Sequence, residues 1–164
     1  MFGKLTGQRL SAQSTGQVSL DDILANSVRN TSDVGVLASF NQTEDKLAVM
    51  VFNYHDDNLP KPNAQVTLYI EGLAHHAGAG PRWKDCDSVK LTHYRIGPTH
   101  SNSYTAWLAM GSPQNPTPQQ YAKLKAAGML QTLEKPRALS VEGGRAKVEF
   151  SLPIHAISLL VLER

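Results

Sequence analysis

Two β-rich runs joined by a polar turn decide the fold of this chain: Val34-Gly-Val-Leu-Ala-Ser-Phe40 and Lys46-Leu-Ala-Val-Met-Val-Phe-Asn-Tyr54, with Asn41-Gln-Thr-Glu-Asp45 between them. Such a pattern predicts a β-hairpin, because runs of β-branched and aromatic residues separated by a few turn-forming residues are typical of paired strands. The second run is apolar on both faces, so we expect it to be a central strand that is covered on both sides of the sheet.

Further short strands are predicted along the rest of the chain. Gln65–Ile70 and Arg145–Phe150 alternate between apolar and polar residues, as half-buried strands do. Shorter or weaker runs are found at 9–14, 89–96, 137–141 and 156–162. The turn Glu142-Gly143-Gly144 predicts that 137–141 pairs with 145–150. Seven or eight short strands separated by regular turns indicate an all-β fold, a β-sandwich.

Two short helices are predicted between the strands. Thr117 followed by Pro118 and Gln120 has the spacing of a capping box with proline at the first helical position, and Gly128 is a C-terminal stop, which predicts a helix over 118–127. A second helix is predicted over about 102–110, capped by Ser101 or Asn102. The spacing of Ser19 and Asp22 predicts one or two further helical turns over 19–26.

Composition excludes some classes of function. The 164 residues carry 16 basic and 14 acidic side chains without blocks, which argues against a nucleic-acid partner. Cys86 is the single cysteine, so no internal disulfide forms, and its neighbours Asp85 and Asp87 disfavour a reactive thiolate. No apolar run is long enough to predict a membrane span or a secretory signal, and the compartment stays undetermined. The low charged fraction, 18%, is consistent with a surface that another domain covers.

Three blocks of sequence resemble glycoside hydrolase family 39, the β-xylosidases. The segment Thr99–Pro118, with His100-Ser101-Asn102 and Met110-Gly111-Ser112-Pro113-Gln114, resembles the C-terminal region of that family. Val49–Asp57 is similar to its "WNYHDD" strand end, with Phe52 where tryptophan is usual. Leu152–Glu163 resembles its last strand. The blocks follow the family's order and span most of the chain.

The resemblance implies that this chain is an accessory domain. Family 39 enzymes hydrolyse glycosides on a (β/α)8 barrel, and such a barrel needs about 250 residues, more than the 164 here. We therefore expect residues 1–7 to be a remnant of a preceding barrel helix or linker, and 8–164 to be the accessory β-sandwich. The retaining mechanism needs two carboxyl groups about 5 Å apart. In the family these are glutamates at barrel strand ends, and no segment here resembles either motif. No catalytic residue, metal ligand or cofactor is predicted.

The expected partner is the catalytic barrel of the same parent chain, with xylo-oligosaccharide as a second candidate. Whether the chain has any activity alone is left open, although the parent would be a β-xylosidase of the xylan 1,4-β-xylosidase type. Two other functions remain open: an independent xylan-binding module, and a self-contained hydrolase.

Seven residues are candidates for contact with carbohydrate or with the barrel. His55, Asp56 and Asp57 carry imidazole and carboxylate groups that bind metals or sugar hydroxyls, but adjacent residues on a loop lack metal-site spacing and also suit a turn. Trp83, beside a small-residue loop that includes His75 and His76, is expected to be exposed and able to stack on a sugar. The others are His100 and Asn102, with an expected role in buttressing the barrel or its active-site rim, and Trp107, expected to be a core or interface anchor.

Overall fold

The computed structural model describes residues 1–58, 60–73, 83 and 86–164. Within them the chain forms three α-helices and nine strands, so the predicted all-β class is confirmed. The helices are α1 (Leu20–Asn26), α2 (Ser103–Ala109) and α3 (Pro118–Gly128). The strands are β1 (Gln8–Leu10), β2 (Asp33–Asn41), β3 (Lys46–Tyr54), β4 (Ala64–Ile70), β5 (Ser88–Ile96), β6 (Gln131–Thr132), β7 (Arg137–Ser140), β8 (Ala146–Leu152) and β9 (Ala156–Glu163). None of the helices described is long and apolar enough to span a membrane.

Two antiparallel sheets of very different width make up the sandwich. The large sheet has the order β1-β2-β3-β9-β5-β6, with β7 also paired to β5, and the small sheet consists of β4 and β8 alone. The predicted hairpin is confirmed as β2 and β3, which pair over nine positions from Asp33↔Tyr54 to Asn41↔Lys46. Its turn is fixed by the Asn41 side chain, whose Oδ1 accepts from the backbone N–H groups of Thr43 and Glu44.

The main core fills the space between the two sheets. Alternate residues of β3, such as Leu47, Val49 and Val51, point inward and meet Val148 and Leu152 of β8. The other face of β3 is also apolar and buried, with Ala48 and Met50 in a second cluster that includes Leu159 and Val161 of β9. Since β3 and β9 lie in the middle of the large sheet, the prediction of a central strand that is covered on both sides is confirmed.

The first seven residues cross the outer face of the large sheet. Phe2–Lys4 forms one turn of 3-10 helix, and Met1 and Leu5 pack against the outer cluster. The Lys4 ammonium lies 5.0 Å from the centre of the Tyr94 ring. This segment then turns at Gly7, where φ is +84° and an added Cβ would lie 2.1 Å from the Phe40 carbonyl oxygen, and enters β1 at the sheet edge. The assignment of 1–7 to a preceding domain remains a proposal.

One predicted pairing is wrong. The 137–141 run does not pair with 145–150, because β7 adds to β5 in the large sheet whereas β8 pairs with β4 in the small one. A single bridge between Glu142 and Arg145 joins the two ends, with Gly143 and Gly144 at positive φ. The Glu-Gly-Gly turn is thus the point at which the chain crosses from one layer to the other. The predicted inward face of 145–150 is Ala146, Val148 and Phe150; the first two are buried, and Phe150 is partly buried against the core.

Helix capping follows the sequence closely. Ser19 caps α1 by accepting from the Asp22 N–H, and Thr117 and Gln120 form the complete capping box of α3. For α2 the cap is Asn102, whose Oδ1 accepts from the Thr105 N–H at 3.1 Å. Gly128 is not the stop that was predicted but the last residue of α3. It is glycine because a Cβ there would lie 2.4 Å from the Ser103 hydroxyl of α2.

Candidate interface at one end of the large sheet

The fold brings two of the predicted blocks to one end of the large sheet. His55–Asp57 follows the last residue of β3, and His100–Asn102 follows the last residues of β5. Both strands flank the start of β9, because Asn53 pairs with Ala156 and Ile96 pairs with Ile157. Gly97 packs against Ala156 so closely that an added Cβ would lie 3.1 Å from the alanine methyl carbon. We call this end, formed by 53–57, 153–157 and 96–102, the site edge.

The His55-Asp56-Asp57 block holds the site edge together. The His55 side chain is buried, and its Nδ1 accepts from the Asp57 N–H at 3.0 Å. Its Nε2 lies 2.8 Å from the Arg29 carbonyl oxygen and 2.7 Å from the Lys61 ammonium. Both ring nitrogens are therefore occupied by the protein itself, and neither is free for a sugar or a metal.

Asp56 connects the loop that contains Val28 to the site edge. Its carboxylate accepts from the Val28 N–H at 3.0 Å, and its own N–H donates to the Val28 carbonyl at 2.9 Å. The hydrogen bond from the Tyr54 hydroxyl to this carboxylate raises the pKa of Tyr54, because it favours the protonated phenol. Asp57 is exposed. Among the described residues, no group of three His, Cys, Asp or Glu side chains is arranged to hold a metal ion.

An open apolar groove begins at the site edge and runs along the outer face of the large sheet. It has a volume of about 630 Å³ and is lined chiefly by Leu37, Met50, Phe52 and Ile157, with Phe2 as a wall. Phe52 covers the glycine opposite it on β2: a Cβ on Gly35 would fall 2.1 Å from the Phe52 ring. Tyr54 and His155 close the end nearest the site edge, where His155 Nε2 donates to the His55 carbonyl oxygen at 2.7 Å.

The helical pair α2–α3 projects from the same edge. Ser101 anchors its base, with Oγ donating to the Arg95 carbonyl and accepting from the Gln131 N–H, and Asn102 Nδ2 donates to the Gly97 carbonyl. His100 contributes a backbone carbonyl to Gly97, while its ring is hydrogen-bonded to Thr99. No residue of either helix is buried. The pair thus stands out from the sandwich instead of packing into its core.

Aromatic residues lie on the surface of this helical pair. Trp107 is half-buried, donates from Nε1 to the Pro113 carbonyl at 3.0 Å and stacks on Tyr104 at a centroid distance of 5.8 Å. Tyr104, Leu108, Tyr121 and Met129 are exposed, with Tyr104 63% and Tyr121 64% accessible, whereas Leu124 is half-buried. Residues 88–133 contain no aspartate or glutamate, so the pair is uncharged apart from Lys123 and Lys125. The expectation that Trp107 is an anchor stays a prediction.

The expectation that Trp83 is exposed is wrong. Its side chain is 0% accessible and belongs to the main core, and the backbone N–H of Trp83 donates to the Leu73 carbonyl. A tryptophan buries so much apolar surface that a core position outweighs its charged neighbours in sequence. In this position it cannot stack on a sugar ring. The His75-His76 pair lies outside the described residues.

A buried polar cluster that the sequence analysis did not identify lies under β8. Ser158 of β9 is within 2.9 Å of His93 Nε2 and 3.0 Å of Arg95 Nε, and Arg95 also donates to the Ser151 carbonyl. The Phe150 ring meets the edge of the His93 ring at 4.9 Å. Burial, and then the nearby Arg95 guanidinium, lower the pKa of His93 to about 4. The inward alternation Val89, Leu91, His93, Arg95 along β5 was the signal that could have revealed this cluster.

This cluster resembles a serine–histidine pair but lacks the access that catalysis needs. Ser158 is completely buried and its hydroxyl accepts from Arg95, which occupies the oxygen lone pair that a nucleophile would use. Among the described residues no carboxylate forms an ion pair with Arg95. We therefore assign the cluster to the structure of the core.

Comparison with known proteins identifies relatives by structure and not by sequence. No family model matches the chain, and no curated protein does. Among solved structures, it is similar to the GH39 enzyme from Xanthomonas axonopodis pv. citri, with a TM-score of 0.60 and 16% identity over 85% of this chain and 28% of that one. A monomeric β-xylosidase from Caulobacter crescentus matches with a TM-score of 0.57 and 20% identity, over 85% of this chain and 29% of that one. A bacterial orthologue of human α-L-iduronidase matches with a TM-score of 0.57 and 15% identity, over 81% of this chain and 22% of that one.

These similarities establish a shared fold. The chain spans less than a third of the length of each of these enzymes, so its fold corresponds to one part of each of them. At 15–20% identity, the comparison does not carry over the activity of those proteins. What the chain shares with them is the fold, over 81–85% of its length.

Proposed function

We propose that this chain is a non-catalytic accessory β-sandwich of a glycoside hydrolase resembling family 39 β-xylosidases, and that it supports the catalytic barrel of a longer parent chain. The proposal is supported by the three sequence blocks in family order and by the shared fold, which matches about a quarter of each enzyme. In that parent, xylose would be removed from the non-reducing ends of β-1,4-xylo-oligosaccharides by double displacement. Both catalytic glutamates would lie on the barrel.

The observation that carries the proposal is the apolar groove on the outer face of the large sheet. Open apolar surfaces can mark contacts with another domain. Phe2, in the segment 1–7 that is the proposed connection to the barrel, forms a wall of the groove. At one end of the groove stand the site edge and the projecting α2–α3 pair, which would reach along the neighbouring domain.

The carboxylates of the chain support a non-catalytic role. Glycoside hydrolysis with retention needs two carboxyl groups about 5 Å apart in one cleft. Here Glu142 lies in the turn before β8, and the other five of the six glutamates form surface ion pairs with nearby cations: Lys46–Glu44, Lys90–Glu163, Arg137–Glu134, Arg145–Glu71 and Lys147–Glu149. We expect the isolated chain to show no turnover of 4-nitrophenyl β-xyloside.

The test measures the groove directly in the isolated chain. We expect it to bind the dye 8-anilinonaphthalene-1-sulfonate and to self-associate in sedimentation-velocity runs as its concentration rises. Phe2→Ser, at a groove wall that is 68% exposed, should weaken both. Leu24→Ser is the matched control, because Leu24 is 77% exposed on α1 and does not line the groove. A clean monomer that binds no dye, or equal effects of the two variants, would count against a docking groove.

The alternative of an independent xylan-binding module has one observation in its favour, the exposed Tyr104 stacked on Trp107 beside an uncharged surface. Aromatic faces of this kind can pack against sugar rings. Titration of the isotope-labelled chain with xylobiose separates the two functions. Saturable amide shifts around Tyr104 that are lost in Tyr104→Ala would favour the module, and their absence at tens of millimolar favours the accessory domain.

A further inference from the structure

We propose that Asp33 and Tyr54, which lie side by side at one end of the apolar groove, form a receptor for a cationic side chain, a lysine or arginine, of the domain that covers the groove. The presence of a covering domain rests on the function proposed above, whereas the charge that it carries is inferred from this chain alone. Three observations support the proposal: a buried carboxylate without an ion pair, an open aromatic ring beside it, and a groove whose remaining surface is apolar.

Asp33 places its side chain on the outer face of the large sheet. It is the first residue of β2 and shares its face with Gly35 and Leu37, because the side chains of a strand alternate between the two faces. Leu37 lines the groove, as Asp33 itself does. The alternate residues Val34 and Val36 pack against the main core instead. The carboxylate therefore belongs to the groove and not to the interior of the sandwich.

The Asp33 carboxylate is buried without a counterion. Only 8% of the residue is exposed, and Oδ1 accepts one hydrogen bond, from the Val18 N–H at 2.9 Å. Among the described residues no lysine, arginine or histidine forms an ion pair with it. The cations that contact the site edge are bound to other residues there: Arg29 to Asp56 and Lys61 to His55. Buried carboxylates are normally paired with a cation, because their desolvation is otherwise costly.

An exposed aromatic ring lies directly beside this carboxylate. Tyr54 is opposite Asp33 in the β2–β3 ladder and is 48% exposed. Residues directly opposed in this way have their Cβ atoms about 5 Å apart. A carboxylate and a ring at this spacing suit one ammonium or guanidinium group, which the carboxylate attracts by its charge and the ring by its quadrupole. The same outer face already holds one contact of the second kind, between the Lys4 ammonium and the Tyr94 ring.

The rest of the groove specifies what carries the cation. From Asp33 and Tyr54 it extends over apolar side chains that include Met50 and Phe52. The other titratable side chain among its described lining residues is His155, whose Nε2 donates to a backbone carbonyl of the site edge and forms no ion pair with Asp33. The groove volume of about 630 Å³ lies in the range of pockets that hold small molecules, about 300–1,000 Å³, so several side chains fit together. The occupant is therefore an apolar segment with a cation at one end.

The test compares three ligands of one chain length on the isotope-labelled protein: n-hexylammonium, 1-hexanol and hexanoate. It is run at concentrations at which the chain sediments as a monomer, so that no second copy covers the groove. We expect saturable shifts of the Leu37 and Phe52 amides and of the Met50 methyl group. Hexylammonium should bind about three to five times more tightly than hexanol, the range of a partly exposed ion pair, and hexanoate should bind most weakly.

Two variants isolate the carboxylate. Asp33→Asn keeps an oxygen that accepts from the Val18 N–H but carries no charge, so hexylammonium and hexanol should bind to it equally. Asp57→Asn is the matched control, because Asp57 is an exposed carboxylate at the same end of the sheet and does not line the groove. This variant should keep the wild-type preference for the amine.

Equal binding of the amine and the alcohol to the wild-type chain would overturn the inference, as would a preference for the amine that persists in Asp33→Asn. Loss of self-association in Asp33→Asn, but not in Asp57→Asn, would assign the cation to a second copy of the chain and overturn the covering domain as its source. These results leave the groove in place. The absence of any saturable shift with all three ligands would instead remove the groove, and the proposed function with it, so the two failures are distinguishable.

Discussion

The buried His93 should make this domain acid-sensitive well above the titration range of its carboxylates. Its pKa is lowered to about 4 in the folded chain from about 6.5 in the unfolded one, so between these values the unfolded state binds the proton more tightly. The free energy of unfolding is therefore not reduced by His93 above pH 6.5, and it decreases as the pH falls from 6.5 towards 4. Burial and the nearby Arg95 guanidinium disfavour a charged His93 more strongly than the carboxylate of Glu134 favours it.

The magnitude follows from the two pKa values. The difference between the two pKa values, about 2.5, lowers the free energy of unfolding by about 3 kcal/mol once the histidine is fully protonated in both states. About 2 kcal/mol of this loss occurs between pH 7 and pH 5. With an m-value of about 2 kcal/mol per molar urea, the unfolding midpoint should fall by roughly 1 M. Trp83, completely buried in the core, reports the transition by its fluorescence.

The comparison that isolates His93 uses two variants. His93→Gln keeps a polar side chain next to Ser158 but does not titrate, so its urea midpoint should change much less than the wild-type midpoint between pH 7 and pH 5. His100→Gln, at the site edge and outside the core, should retain the wild-type pH dependence. If His93→Gln and the wild-type chain lose the same stability over this range, the buried cluster does not control acid sensitivity and the reasoning is refuted.

Three further perturbations have expected outcomes. Trp83→Ala should lower the free energy of unfolding by about 3–5 kcal/mol, measured by urea denaturation, because it empties a fully buried core position. Thr117→Ala should cost about 1 kcal/mol and reduce helical circular dichroism, since it breaks the capping box of α3. Asp56→Ala should speed hydrogen exchange of the Val28 amide, which donates to its carboxylate, while leaving the amides of β9 protected; equal protection of Val28 in both proteins would contradict the assigned role.

The sequence predicted the strands and helix caps well because each of them depends on residues that are close together in the chain. The alternation of β3 and β8, the cap at Ser19 and the capping box at Thr117 depend on neighbours a few residues away, and all are present in the structure. The pairing of β7 could not be predicted in this way. A Gly-Gly turn after Glu142 suits a hairpin and a crossing between layers equally, and the choice depends on β5, about fifty residues earlier in the chain.

The same limit applies to the site. The identity of His55 and its neighbours was readable from the sequence, but their role depends on Arg29 and Lys61, which the fold brings to the histidine ring. Trp83 was misjudged because its charged sequence neighbours were weighed more heavily than the apolar area of the indole itself. His93 and Arg95 lie at inward positions of β5, yet periodicity by polarity alone marks polar residues as exposed.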